Sequence, residues 1–318
     1  MVTKKPLIIL TEPTAVGKTR LSIALAKAVN GEIISADCMQ VYKQMTIGTA
    51  KILPEEMQGV PHHLIDCLSP EEEFNVVLFV KLAKQAMVQC WNQGKIPILV
   101  GGTGFYIQAL LYDIDFTEND EDIEYRKELE QLATDKGAEA LHDMLRKVDP
   151  KSAEAIHANN VKRVIRALEF HKQTGGKISE HNEQERAKSS PYDFCYFVLN
   201  DERERLYDRI NLRIDQMLED GLIEEVESLK GQGYTKDMVS MQGLGYKEIL
   251  DYLNGNCTLE EAVYILKRDT RHFAKRQLTW FRRERDVIWI SKNDYQYDED
   301  KILNVMLEHI KERTHISC

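Results

Sequence analysis

Residues 7–20 read LIILTEPTAVGKTR, and the fold is decided there. The apolar run at 5–10 has the length and composition of a buried strand, and from Thr19 to about residue 29 the apolar positions recur on one side at helical spacing. Between them lies a segment in the place of a phosphate-binding loop. Such a loop needs backbone N–H groups turned inward at a helix N-terminus, where the dipole favours anions. It also needs a lysine that reaches the phosphates and a hydroxyl that reaches Mg²⁺. Gly17, Lys18 and Thr19 fill the last three places of the pattern GxxxxGK[ST], with Thr19 as the metal-facing hydroxyl. The first place, ordinarily glycine, is Glu12. A carboxylate is unfavourable beside a diphosphate, and a Cβ narrows the conformations open to that position.

Outward from the loop, strands alternate with helices. Residues 32–36 (EIISA) form a second short β-rich run ending at Asp37. Residues 74–91 have helical spacing, and 95–100 (KIPILV) is a third strand, broken by Gly101-Gly102-Thr103-Gly104 before a helix from Phe105. This alternation implies an α/β fold: a P-loop-type parallel sheet core covered by helices on both faces. After Tyr112 the pattern changes to helical segments at 124–132, 138–148 and 161–173, which read as an all-α insertion domain. The polar stretch 179–190 and Pro191 mark its end. A strand at 194–199, helices around 201–219, 222–231 and 259–284, and a last strand at 287–290 return the chain to the sheet. The expected division is a catalytic core of residues 1–112 plus 192–318, with the insertion at 113–191.

The bulk numbers suit such a protein. A hydrophobic share of 43% and a charged share of 30% over 318 residues are those of an ordinary globular chain. No apolar run reaches the roughly 18 to 20 residues that span a bilayer. The opening MVTKKPLIIL breaks at residues 11–13 without a small-residue cleavage pattern, as a strand does and a signal peptide does not. Six cysteines (38, 67, 90, 195, 257 and 318) lie far apart with no CxxC pair, which fits reduced thiols in the cytoplasm and shows no zinc pattern.

A formal net charge of −10 argues on its face against a nucleic-acid partner, but the local potential of the binding face is what matters. Residues 113–130 are heavily acidic, whereas 267–285 hold eight Lys or Arg against two acids. On a helix over 260–285, Arg268, Arg271, Lys275 and Arg282 fall within about 60°, with Leu266, Phe273, Trp280 and Phe281 on the other side. One face packs; the other is either merely solvated or meets phosphate. Lys162, Arg163 and Arg166 form a smaller basic cluster in the insertion.

Asp37 is expected at the carboxyl end of the second strand, the edge where open α/β sheets hold ligands. There it acts as a general base or orients a second substrate; the plainer alternative is a helix N-cap. Gln40, Tyr42, Gly48, Thr49 and Lys51 follow at the same edge, and the glycine-rich turn brings Thr103 to it, although a bare strand-to-helix turn needs such glycines too. The strand at 96–100 ends in Gly-Gly-Thr, not in the Asp that holds Mg²⁺ in nucleotide-hydrolysing P-loop proteins. The run HHLID (62–66) is too short and polar to replace it, and adjacent His62 and His63 do not share a face, which favours structural roles. The loop therefore supports diphosphate binding better than ATP turnover.

In order along the chain, PTAVGKT (13–19), ADCMQVYK (36–43), IGTAK (47–51), HHLID (62–66), VGGTGFY (100–106), IHANNVKRVIRALE (156–169), LYDRINLRIDQML (206–218), GLGYKE (243–248) and KRQLTWFRR (275–283) resemble the bacterial tRNA dimethylallyltransferases, also called tRNA isopentenyltransferases. The family has glycine where this chain has Glu12, and usually serine where it has Cys38. The resemblance implies transfer of the dimethylallyl group of dimethylallyl diphosphate to N6 of the adenosine 3′ of the anticodon, with Mg²⁺. It implies an adenine that leaves its stack to enter a channel between core and insertion. It makes Asp37 the general base and Thr103 its neighbour in the site. Lys18, Thr19 and Arg213 hold the diphosphate, with backbone donors from Thr14, Ala15, Val16 and Gly17. It assigns tRNA contacts to Asp37, Cys38, Met39, Gln40, Thr103, Arg126, Val161, Lys162, Arg163, Val164 and Ile165. The implied partners are the tRNA anticodon arm and the allylic diphosphate; no membrane is expected, and a monomer is, because a single chain supplies every site element. Two other readings remain: a P-loop small-molecule kinase, with ATP turnover and no RNA dependence, and an RNA-binding P-loop protein that has lost its chemistry.

Overall fold

In chain order, β1 (Lys5–Thr11), α1 (Lys18–Ala28), β2 (Gly31–Ser35), the two-residue β3 (His62–His63), α2 (Val76–Asn92), β4 (Ile96–Gly101) and α3 (Gly104–Leu111) make up the first half of an α/β unit. This computed structural model describes residues 4–116 and 123–316; part of the acidic stretch 113–130 and Cys318 lie outside the described residues. Five helices follow, α4 (Ile123–Lys136), α5 (Ala138–Val148), α6 (Pro150–Ala155), α7 (Val161–Thr174) and α8 (Ile178–Ala187). The chain then runs through β5 (Tyr192–Asn200), α9 (Arg203–Glu219), α10 (Leu222–Gly231), α11 (Tyr246–Leu253), α12 (Leu259–Phe281), β6 (Val287–Ser291) and α13 (Glu299–Arg313).

The strands form one parallel sheet in the order β3-β2-β4-β1-β5-β6. Leu7, Ile8, Ile9 and Leu10 of β1 are fully buried, because a central parallel strand is covered on both faces and needs a continuous apolar run. Both β2 and β5 pair in register beside it or its neighbour, Ile33 with Ile98 and Tyr196 with Ile9. The sheet direction puts the carboxyl ends of β1, β2 and β4 at one edge.

Two compact units result, Met1–Leu111 with Pro191–Cys318, and Tyr112–Ser190. The second has a core of its own, with Leu129, Leu141, Leu145, Val164, Ile165 and Leu168 buried together. The polar stretch 179–190, expected to end the insertion as a connection, is mostly helix α8. Its helical spacing carries almost no apolar residue, so periodicity does not reveal it; what starts the helix is Asp149. That buried carboxylate accepts the backbone N–H of Ser152 (3.0 Å) and of Ser179 (3.0 Å), together with both serine hydroxyls (2.7 Å each). It caps α6 and holds the first turn of α8 at once. Burial acts to raise the Asp149 pKa, but these hydrogen bonds outweigh it and hold the group below the usual carboxylate range.

Three further helices, α6, α11 and α13, lie beyond those that the spacing predicts. The long helix α12 starts at a capping box, in which Thr258 Oγ1 accepts the Glu261 N–H at 3.2 Å and the Thr258 N–H donates to Glu261 at 2.9 Å. It ends at Phe281, so Arg282 lies just beyond the helix rather than on its face.

Candidate active site

The loop after β1 turns back on itself through two left-handed residues, Ala15 (φ 69°) and Gly17 (φ 104°), and α1 begins at Lys18. Glu12 keeps out of the left-handed region, and its side chain points into the loop. Oε1 accepts the backbone N–H groups of Gly17 and Lys18, both at 2.9 Å, and lies 3.5 Å from the Lys18 ammonium. Oε2 is buried without a hydrogen-bond partner. Other expected backbone donors are also engaged within the protein: the Thr14 N–H donates to Gln277 at 2.9 Å and the Val16 N–H to the Pro13 carbonyl at 3.4 Å. The expectation that Thr14, Val16 and Gly17 present free N–H groups to diphosphate is corrected on this point.

Three long-range residues fasten the loop. Arg209 of α9 donates to the Ala15 carbonyl at 2.7 Å, and the buried Lys292 lies 3.3 Å from the Val16 carbonyl. Gln277 of α12 bridges the Thr14 N–H to the Gly102 carbonyl, each at 2.9 Å. Spacing singles out none of them, because each acts across 175 or more positions, although Arg209 lies in the LYDRINLRIDQML stretch and Gln277 in KRQLTWFRR.

Asp37 follows β2 with only Ala36 between. Its Oδ1 accepts the N–H groups of Met39 (2.8 Å) and Gln40 (3.3 Å), so it does cap the turn, and it lines a cavity as well. The carboxylate therefore caps a turn rather than a helix, and it faces the cavity at the sheet edge where a ligand would sit. Gly101 needs its missing Cβ because a methyl there would run into the Ala36 backbone, and Gly104 because it would strike the Trp280 ring. These close approaches bring Thr103 against Cys38, whose thiol it hydrogen-bonds. Burial, then the Asp37 charge, pushes the Cys38 thiol up to about 12, the Thr103 bond only partly opposing them, so the sulfur stays protonated and is no nucleophile.

A second carboxylate shapes the neighbouring loop. Glu225 of α10 accepts the N–H groups of Thr46 (2.9 Å), Ile47 (2.8 Å) and Gly48 (3.1 Å) and the Tyr246 hydroxyl (2.7 Å). Gln40 reaches the Thr49 and Ala50 carbonyls at 3.3 Å. Lys51 is buried and donates to the Tyr42 carbonyl at 2.6 Å, a structural rather than a ligand-binding position. His63 bonds Glu32 at 2.8 Å and His62 the Val60 carbonyl at 2.8 Å, while the Cys90 thiol leans on the same glutamate.

Two cavities open at this edge. The larger, about 460 Å³, is lined by Asp37, Cys38, Met39, Thr103, Tyr106 and Arg276 among others; the smaller, about 370 Å³, by Glu12, Lys18, Thr19, Gln40 and Arg209. Ala15 and Arg213 line both, so the two cavities share part of their wall. Burial lowers the Arg213 pKa, while the carboxylates of Glu12 and Asp37 pull it back up. One side of the wall is rich in phosphate-type donors, the other largely apolar with a single carboxylate.

The remaining expected residues fall into three groups. Lys162, Arg163 and Arg166 are exposed on α7, whereas Val164 and Ile165 sit in the core of the helical unit, which rules out RNA contact through their side chains. Arg126 forms a two-pronged pair with Glu169, at 2.8 and 2.9 Å. On α12, Arg268 and Lys275 are exposed, Arg268 pairs with Asp269 at 2.8 Å, and Arg271 is half-buried and donates to Asn211 at 2.7 Å.

A family model described as IPP transferase matches residues 40–284, and one described as isopentenyl transferase matches residues 6–69. A tRNA dimethylallyltransferase of Lachnoclostridium phytofermentans is 64% identical over 97% of this chain and 98% of its own length. The full-length tRNA isopentenylpyrophosphate transferase of Bacillus halodurans is 48% identical, covers 98% of each chain, and superposes with a TM-score of 0.73. A eukaryotic dimethylallyltransferase captured acting on tRNA is 29% identical, with a TM-score of 0.82 over 97% of this chain and 80% of that one.

Proposed function

The chain belongs to the IPP transferase family of tRNA-modifying prenyltransferases, and from that premise we propose that it moves the dimethylallyl group of dimethylallyl diphosphate to N6 of the adenosine 3′ of a tRNA anticodon. The observation that carries the assignment of parts is Arg213, which lines both the phosphate-type basin and the cavity holding Asp37. The diphosphate takes the basin with Lys18, Arg209 and Arg213; the allylic chain and the adenine take the larger cavity.

As the allylic C–O bond breaks, its electron pair leaves with the diphosphate, and fixed cations stabilise the growing charge. The N6 lone pair forms the new C–N bond, and Asp37 accepts the proton that N6 gives up. Hydrogen bonds from Met39 and Gln40 keep Asp37 oriented for this. Thr103 and Cys38 form the polar wall beside it, and Tyr106 and Phe74 exclude water. The donor set suits a Mg²⁺ carried mainly by substrate: Thr19 is exposed on the basin, and Mg²⁺ ordinarily takes one or two protein ligands beside phosphate oxygens and water. Bound there, the ion neutralises charge on the leaving group.

We assign tRNA-backbone contact to Lys162, Arg163 and Arg166 and to the exposed cations of α12 with Arg282, where positive charge would release counterions from phosphate. We further propose a monomer working in the cytoplasm, a reading supported by one chain lining both cavities. The test is incubation with labelled dimethylallyl diphosphate, Mg²⁺ and unmodified tRNA, with labelled ATP in a parallel reaction. Label on N6 of the adenosine 3′ of the anticodon supports the reading; phosphate transfer from ATP, or tRNA binding without product, overturns it.

A further inference from the structure

We propose that Glu12 is a built-in anion seated in the phosphate cradle, so that substrate diphosphate binds there only by displacing it; this rests on the loop's being the diphosphate holder. The N–H groups of Gly17 and Lys18 stand at the N-terminus of the 11-residue helix α1, where the unpaired donors and the dipole favour an anion. Glu12 Oε1 accepts both at 2.9 Å, with the Lys18 ammonium 3.5 Å away. These are the partners a phosphate oxygen would take.

The seat is occupied imperfectly. Only 2% of Glu12 is exposed, yet its Oε2 has no hydrogen-bond partner, and a buried oxygen without a donor raises the free energy of the occupied state. Lys18, Arg209 and Arg213 line the same basin, so three cations face one carboxylate and leave positive charge for a second anion. A diphosphate offers more oxygens to those cations than a carboxylate does. It cannot share the two N–H groups with Glu12, because like charges that close disfavour one another. The resting loop is therefore ordered and self-capped, and the incoming ligand must first turn Glu12 out. After transfer, the carboxylate's return to the N–H pair favours release of product diphosphate. Apparent affinity for any diphosphate falls by the fraction of molecules in which Glu12 is seated.

The probe is inorganic diphosphate with Mg²⁺, titrated calorimetrically into the full chain, into Glu12→Gly and into Glu12→Gln. Glu12→Gly empties the seat and is expected to tighten binding about tenfold or more, a change of modest free energy. Glu12→Gln keeps a side-chain oxygen for the N–H groups without the charge, and its affinity should fall between the two. Kinetically, the KM for dimethylallyl diphosphate falls in Glu12→Gly more than kcat changes. Diphosphate bound no more tightly by a folded Glu12→Gly protein overturns the proposal. Should that variant fail to fold, Glu12→Gln decides: tighter binding supports it, equal binding overturns it. The titration needs no turnover, so an enzyme that failed to prenylate tRNA would overturn the functional reading while leaving this measurement intact.

Discussion

Gln277 and Thr14 lie 263 positions apart, yet the glutamine side-chain carbonyl accepts the Thr14 N–H at 2.9 Å while its amide donates to the Gly102 carbonyl at 2.9 Å. One buried amide thus sets the phosphate loop against the glycine-rich turn that carries Thr103. The loop of Lys18 and the turn of Thr103 are thereby tied to one side chain of α12.

Gln277→Ala leaves a buried donor and a buried acceptor unpaired. A stability loss of about 1–3 kcal/mol is expected in chemical denaturation, with a raised KM for the allylic diphosphate. A variant with unchanged stability and KM would show that the bridge positions nothing.

Asp149 gives a prediction in pH. Its pKa is held below the ordinary carboxylate value in the fold, so its contribution is complete at neutral pH, above the unfolded-state value of about 4. That contribution is lost as pH falls through the folded-state value. Asp149→Asn should lower the thermal midpoint at pH 7 and flatten the loss of stability on acidification. Parallel acid profiles for the two proteins would contradict this role.

At Cys38 the expectation is an absence of titration. Burial holds the thiol up to about 12, so it stays protonated throughout neutral pH and carries no limb of the rate profile. The pH–rate curve of Cys38→Ser should match the parent's in shape, whatever its height. A limb that vanishes in the serine variant would mean that the thiol ionises during turnover.

The helix α7 separates surface from core within a few residues. Replacing Lys162, Arg163 and Arg166 together by Glu should weaken tRNA binding with stability little changed. Its salt dependence should fall as well, by about 0.7 to 0.9 in log–log slope for each phosphate that these cations no longer neutralise. Ile165→Ala should instead cost about 2–5 kcal/mol of stability. Equal effects on tRNA affinity from the two variants would show that the basic face does not meet the RNA.

Local signals explain what is legible in the sequence. Leu7 to Leu10, the Gly17-Lys18-Thr19 turn and Asp37 after Ser35 are all decided by neighbours in the chain, and the parallel core is readable from them. Helix α8 escapes because it is held by Asp149, the cap of α6, and buries little beyond Glu185. Arg209, Gln277 and Lys292 escape because a loop's long-range fastenings leave no spacing to read. Glu12 is visible as a misfit, but only its hydrogen bonds to Gly17 and Lys18 show which way it points.

The central claim is that Asp37 takes the N6 proton beside a diphosphate held across Arg213. Single-turnover transfer by Asp37→Ala, measured together with its tRNA affinity, tests it most directly. The account predicts transfer abolished, with tRNA binding largely preserved. Near-normal transfer in that variant would contradict it.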